Sequence, residues 1–349
     1  MKEKKIFDKT YVELTGCIHN HSEYSYDSEA STKEIINAAK RNELDYFTIT
    51  DHLNMDVKDD VVLQGEKSVR IIVGAEINDK SGENHYLVFN TDKIIKDATV
   101  KEYTDYYTKI NAVRFVAHPF EKRLGNSFRK YLWTDKENTD FDGLEIWNAV
   151  SDWLGRLNPK VNGFFLAFFP SFFIKSANSE SIKWWDSLNK SGLKRAAIGS
   201  TDAHTFIYKK FGKTFKFLPH KYLFGTIRTN VLISKKDNIN NDDILNALKA
   251  GNSYIINYKV GYPVGFYAGI SKTGYGSATF GQEIDFTDGL KFYFHAPYFV
   301  KAVCYRNGKP VGTVKENKGE FEITEKGNYR LELNRFGKKW IYTNNIYVK

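Results

Sequence analysis

Cysteine is nearly absent from this chain. Over 349 residues only Cys17 and Cys304 occur, far apart and without CxxC spacing, which argues against a disulfide framework and against thiolate metal ligands. Both are read as core residues. Long apolar runs are missing too. The most apolar stretch, GFFLAFFPSFFI over 163–174, contains Pro170 and is shorter than the ~20 residues that a membrane-spanning helix needs. It reads as a buried wall of the domain, with an aromatic lid or a dimer patch as alternatives. The charged start MKEKKIFD is not followed by an apolar stretch, so a secretory signal is not seen and the cytoplasm is the expected location.

Nor is there a dense run of basic residues, although 51 Lys and Arg outnumber 42 Asp and Glu to give a formal charge of +9. Nucleic acid would suit that field, but no dedicated binding stripe is visible. A solvated basic surface is the plain reading, and a small anionic, phosphorylated substrate is the expected partner. No membrane partner is expected. The length allows one large domain with an appendage, or two domains.

What the sequence does contain is a pattern of histidines. Six of the eight lie beside acids or at the ends of strand-like runs: His19-Asn20-His21, Thr50-Asp51-His52, His85 ahead of Tyr86-Leu87-Val88-Phe89, Ala117-His118-Pro119 and Asp202-Ala203-His204. Gly74-Ala75-Glu76 supplies a further carboxylate at a strand end. Imidazole and carboxylate together suit zinc, manganese or iron. His220 and His295 lie outside every motif and are assigned no role.

Strands are expected at 11–18, 45–50, 69–77, 85–90, 114–117, 143–147, 195–200 and 226–233. Helices are expected from a Ser31-Thr32-Lys33-Glu34 capping box to about 42, near 97–111, around 181–188 and at 242–249. The alternation suggests a parallel sheet or barrel with its site at the C-terminal strand ends. Only eight residues separate Glu76 from His85, too few for a parallel crossover, so these two strands should form a hairpin that delivers both residues to one edge. After Tyr262 the text turns to short β-runs with Asn307-Gly308 as a hairpin turn, which predicts a barrel domain over 1–262 and a small all-β domain over 263–349.

These motifs, in this order, resemble the PHP (polymerase and histidinol phosphatase) domain: Gly16-Cys17-Ile18-His19-Asn20-His21-Ser22, Thr50-Asp51-His52, Gly74-Ala75-Glu76, His85-Tyr86-Leu87, Ala117-His118-Pro119 and Gly199-Ser200-Thr201-Asp202-Ala203-His204. Trp185-Asp186-Ser187-Leu188 followed by Gly192 is also similar. The resemblance covers about residues 10–260. It implies an α/β fold, a distorted (β/α)7 barrel, with up to three divalent ions (Zn, Mn or Fe). The first would be held by His19, His21 and Asp202, with Glu76 bridging to a second held by His85 and His118. The third would be held by Asp27, His52 and His204, although some relatives have histidine where Asp27 stands. The C-terminal segment from Trp340 to Val348, with Arg306-Asn307-Gly308 upstream, resembles a branch with a β-sandwich appendage that includes a carbaryl-type esterase. Relatives there often have proline in place of Asn345.

The expected function is metal-dependent hydrolysis by a metal-bridging hydroxide, which two cations sharing a water make available near neutral pH. A small phosphomonoester or a nucleotide-like phosphodiester is the expected substrate. A hydrolase of a non-phosphate ester, carbamate or amide is the alternative, and a non-catalytic metal-stabilised scaffold the third reading. Arg123 and Arg129 are candidates to clamp a phosphate, and Asp51 to orient an imidazole.

Overall fold

The computed structural model describes residues 2–64, 69–124, 128–158, 160–162, 174–210 and 213–349. Most of the apolar 163–174 stretch therefore lies outside the described residues; Ile174, its last residue, is buried.

The chain starts with a hairpin, β1 (Lys2–Ile6) against β2 (Lys9–Cys17). β1 was not expected, because KEKKI carries four charges and little β-propensity; pairing along β2 and burial of Ile6 override it. Helix α1 (Thr32–Arg41) begins where expected, with Ser31 accepting from the Glu34 N–H at 3.3 Å. Its Ile35, Ile36, Ala38 and Ala39 form a buried face. Then come β3 (Tyr46–His52), α2 (Val57–Gln64), β4 (Arg70–Ile77) and β5 (Tyr86–Phe89). All seven residues of β3 are buried, as befits a central parallel strand.

The hairpin inferred between Glu76 and His85 is present: β5 runs antiparallel to β4. Helix α3 (Val100–Lys109), with a full capping box at Thr99 and Glu102, leads to β6 (Val113–Val116), β7 (Gly143–Asn148), α4 (Ala149–Leu154), α5 (Ser179–Lys190) and β8 (Ala196–Ser200). A small hairpin of β9 (Phe206–Lys210) and β10 (Lys213–Phe217) and the short α6 (His220–Leu223) follow. β11 (Ile227–Ser234), α7 (Asn241–Lys249) and β12 (Ser253–Asn257) complete this part.

The ladder runs β8-β7-β6-β5-β4-β3-β2-β11-β12. Its free end, β8, lies against β11 and β12 without a backbone ladder to either. Side chains take the place of that ladder. The Thr229 hydroxyl accepts from Gly199 N–H at 3.0 Å and donates to Gly199 C=O at 2.7 Å. Gly199 has no room for a Cβ, which would sit 2.3 Å from Ile255. One turn back, the Asn344 carboxamide accepts from Ala197 N–H at 2.7 Å and donates to Ala197 C=O at 2.9 Å. Beyond β8 the chain regains backbone pairing, with Thr201 and Ala203 N–H donating to Ile18 and His19 C=O and His21 N–H to Ala203 C=O.

The remainder is all β among the described residues, as expected: β13 (Tyr267–Lys272), β14 (Gly276–Ala278), β15 (Glu283–Ile284), β16 (Lys291–Arg306), β17 (Lys309–Glu322), β18 (Gly327–Arg335), β19 (Lys338–Thr343) and β20 (Ile346–Val348). Asn307 and Gly308, both at positive φ, turn β16 into β17. This part is joined to the first by β19 pairing with β12 and by a core that mixes Ile6, Tyr11, Leu232 and Tyr254 with Phe292, Leu331 and Trp340. Asp186, from the Trp-Asp-Ser-Leu motif, accepts two hydrogen bonds at 3.0 and 2.9 Å from the buried Arg330 guanidinium. No described helix is long and apolar enough to cross a membrane.

Candidate metal centre

His19 and His21 follow β2, and Asp27 sits in the next loop. His52 ends β3, Glu76 lies near the end of β4, His85 precedes β5, His118 follows β6, and Asp202 and His204 follow β8. Because β5 is reversed, its start lies at the same edge as the ends of the parallel strands. The short bridge between Asn20 and Ala203 brings the first and last motifs together. His19 (φ 62°), His118 (φ 26°) and Asp202 (φ 52°) adopt left-handed backbone, a conformation costing ~1–3 kcal/mol per residue that persists where surrounding structure enforces it.

All nine expected ligand residues converge. Glu76 divides them. Its Oε2 is 3.0 Å from His19 Nε2 and 3.2 Å from His21 Nε2, with Asp202 Oδ1 at 3.3 and 3.4 Å from the same two nitrogens. Its Oε1 is 2.6 Å from His85 Nδ1 and 3.1 Å from His118 Nε2. Asp27 Oδ2 lies 3.1 Å from His52 Nε2 and 3.2 Å from His204 Nε2. Two imidazoles sit between groups: His21 is also close to Asp27, His52 and His204, and His52 to Glu76 and His85.

Donor atoms around a tetrahedral ion with bonds of ~2.0–2.1 Å are separated by roughly 3.3 Å; the spacings here run from 2.6 to 3.4 Å, most of them at 3.0 Å or more. The cluster also leaves ring nitrogens unspent. His21 Nε2, His52 Nδ1, His118 Nδ1 and His204 Nε2 are buried without a well-formed hydrogen bond, a costly state for polar atoms unless a further partner binds them. The residues present therefore fit a group of divalent cations.

The far sides of three rings are fixed. His19 Nδ1 is 2.8 Å from Glu145, His21 Nδ1 is 3.3 Å from Ser25 Oγ, and His204 Nδ1 is 2.9 Å from the Asp202 carbonyl. Each contact leaves Nε2 turned toward the cluster. Burial opposes protonation of His118, but the Glu121 charge and the Glu76 hydrogen bond outweigh it and push its pKa up to about 10. Burial likewise opposes charge on His204, yet Asp27 and Asp202 raise it to about 9. Burial also disfavours the Glu76 carboxylate, but the His19, His52 and His85 charges hold it well below the usual range.

Glu145 was not anticipated. It is fully buried on β7, holds His19 Nδ1 and accepts the His118 backbone N–H at 2.9 Å. Asn148 ties it to Asp202, donating to both carboxylates at 3.1 Å. The available signal was a lone acid inside the apolar strand GLEIWN. Glu145→Gln is expected to lower metal affinity by about 10–100-fold, the usual cost of losing an acid that orients a liganding histidine, as measured by competition with a chromogenic chelator.

The other candidates separate. Asp51 accepts from Ser22 N–H and Ser22 Oγ, both at 2.6 Å, and so braces the loop after His21 rather than hydrogen-bonding a ring. Arg123 lines the cavity above the cluster, its guanidinium held 2.7 Å from Glu121. Arg129 is directed elsewhere, donating to the Ser81 and Gly82 carbonyls and to Glu83. His220 is buried against Thr205 Oγ1 at 2.9 Å, and His295 contacts the Gly265 carbonyl at 3.0 Å. Both cysteines are buried and unpaired.

No protein of curated function matches this chain. Among solved structures, a two-domain protein from Bacteroides vulgatus, named as containing a predicted PHP-like metal-dependent phosphoesterase, superposes over 99% of this chain and 98% of its own, with a TM-score of 0.50 and 16% identity. A protein from Bifidobacterium adolescentis, provisionally named a metal-dependent phosphoesterase, covers 67% of this chain and 95% of its own at a TM-score of 0.35 and 12% identity. The family model of the PHP domain matches residues 18–142. That stretch carries seven of the nine convergent residues, and the bridge to Ala203 brings Asp202 and His204 to the rest; residues 18–142 of this chain are similar to the PHP domain, and the chain carries an additional β-rich part.

Proposed function

We propose that this protein is a metal-dependent phosphoesterase, and the observation that carries the reading is the division of Glu76: one carboxylate oxygen faces His19 and His21, the other His85 and His118. A carboxylate so placed would bridge two cations. His19, His21 and Asp202 would complete one site, His85 and His118 the second, and Asp27, His52 and His204 a third. Zinc, manganese and iron all suit this donor set. Bound divalent cations supply an activated water at neutral pH and neutralise charge on the reacting phosphoryl group.

The chain's own residues prepare the site around that chemistry. Glu145 and Asn148 hold His19 and Asp202 in register, and Ser25 and the Asp202 carbonyl fix the rings of His21 and His204. Arg123 stands in the cavity wall, its guanidinium held by Glu121 and the Lys122 carbonyl, and we assign it to the phosphate as a planar, charged donor group. We read the curled strand order as the distorted (β/α)7 barrel, and place the boundary of the β-domain at 262/263, where it would supply no metal ligand.

The test is a panel of phosphomonoesters and phosphodiesters with the manganese-loaded full chain, alongside carboxyl esters, carbamates and amides. Phosphate release is expected. Arg123→Ala should lower kcat/KM by about 10²-fold or more, as for removal of one preorganised donor, while Arg129→Ala stays within about twofold, as for surface residues away from a site. Cleavage of carboxyl esters or carbamates with no phosphoester turned over would shift the assignment to the second class of hydrolase.

A further inference from the structure

We infer that the substrate's leaving group is an apolar alcohol, aliphatic or aromatic, carried on a single phosphoryl group. The inference rests on the phosphoesterase reading above and adds a substrate class to it. The cavity over the metal centre measures about 410 Å³, within the range of small-molecule sites. Its floor is the histidine and carboxylate cluster, but its walls are apolar. Val150, Trp153 and Leu154 come from α4, and Phe206, Phe217 and Leu218 from the β9–β10 hairpin and its exit.

Two of these rings are costly to display without a purpose. Phe206 is 47% and Phe217 43% exposed; both line the cavity with the buried Trp153, and Phe206 stacks against His204 at 6.2 Å between ring centroids. Among the described lining residues Arg123 is the only Lys or Arg side chain. Lone Arg123 suits one phosphoryl group and leaves a polyphosphate chain without partners. No described wall residue offers a carboxamide or a free carboxylate for reading sugar hydroxyls or base edges; the Tyr131 phenol, packed beside His85, is the one hydroxyl among the described lining residues, and the remaining acids are Glu121, which holds Arg123, and the three in the cluster. The reaction consumes one water: the phosphorus–oxygen bond to the alcohol breaks, a new one forms to the water oxygen, and the alcohol departs with a proton, leaving inorganic phosphate.

The experiment uses ethyl, butyl and hexyl phosphate with the manganese-loaded full chain. These alcohols differ little in acidity, so the series changes apolar area and not leaving-group chemistry. kcat/KM is expected to rise about threefold to fourfold per methylene until the cavity fills. The Phe206→Ala, Phe217→Ala double variant, at two exposed positions that leave folding intact, should lower the hexyl-to-ethyl ratio at least about tenfold. In parallel, calorimetric binding of ethyl-, butyl- and hexylphosphonate, whose carbon–phosphorus bond is not cleaved by hydrolysis, reads the same walls without turnover. Turnover at equal kcat/KM along the series, or an unchanged ratio in the double variant, overturns the apolar substrate class and leaves the phosphoesterase reading standing. Phosphonate affinity that rises with chain length while no ester is hydrolysed supports the apolar arm and defeats the phosphoesterase reading. Neither turnover nor a rise in affinity overturns both.

Discussion

Replacing Glu76 by alanine is expected to lower phosphoester turnover by more than about 10³-fold, since the bridging carboxylate would position two cations worth several kcal/mol of transition-state stabilisation. The same change should remove bound metal. It deletes the one group that touches His19, His21, His85 and His118 together, at 2.6–3.2 Å, and leaves four buried imidazoles facing one another. A double comparison sharpens the result. Glu76→Ala should cost far more than Arg123→Ala, because the arginine contributes charge to substrate whereas the carboxylate holds the centre itself. Full metal content and near-native turnover in Glu76→Ala would show that the carboxylate does not bridge.

The second large effect lies far from the chemistry. Asn344→Ala should destabilise the protein by about 2–5 kcal/mol, because it leaves the N–H and C=O of Ala197 without partners inside the core. Asn344 also donates to the Ser253 carbonyl and hydroxyl at 3.1 and 2.9 Å, so one carboxamide joins β8, β12 and the β-rich part. Loss on this scale corresponds to a fall in Tm of about 3–7 °C, measurable by circular dichroism or calorimetry. A chain ended near Tyr262 loses Asn344, β19 and the Arg330–Asp186 pair at once and is expected to be unfolded or aggregated. Unchanged Tm in Asn344→Ala would mean that β8 is held without this contact.

Eight of the nine proposed ligands were legible in the sequence because each is tied to a strand end by a short motif, and strand spacing alone demanded the β4–β5 hairpin; Asp27, in a loop, came only through the family resemblance. The helices at 32–41, 100–109, 179–190 and 241–249 were legible from caps and apolar periodicity. What escaped was contextual. β1 is a charged pentapeptide made into a strand by its neighbour. α2 has no clear amphipathic face, and its Val57 is buried beside Ile35 and Ile36 only once the chain is folded. Glu145 and Asn148 act through partners brought from β2, β6 and β8, and Asn344 completes a strand about 150 residues upstream. Such roles depend on long-range packing, which motif order does not encode. Arg123 and Arg129 looked alike in sequence, and only the loop at 81–83 and the Glu121 carboxylate separate them.

The claim that nine side chains form one multi-metal centre is tested most directly by anomalous diffraction from crystals of the full chain reconstituted with manganese or zinc. The account predicts two or three anomalous peaks within a few ångströms of one another, at bond lengths of ~2.0–2.2 Å for zinc, with one peak on either side of Glu76. A lone peak away from Glu76, or no peak at all among His19, His85 and His118 in metal-saturated crystals, would contradict it.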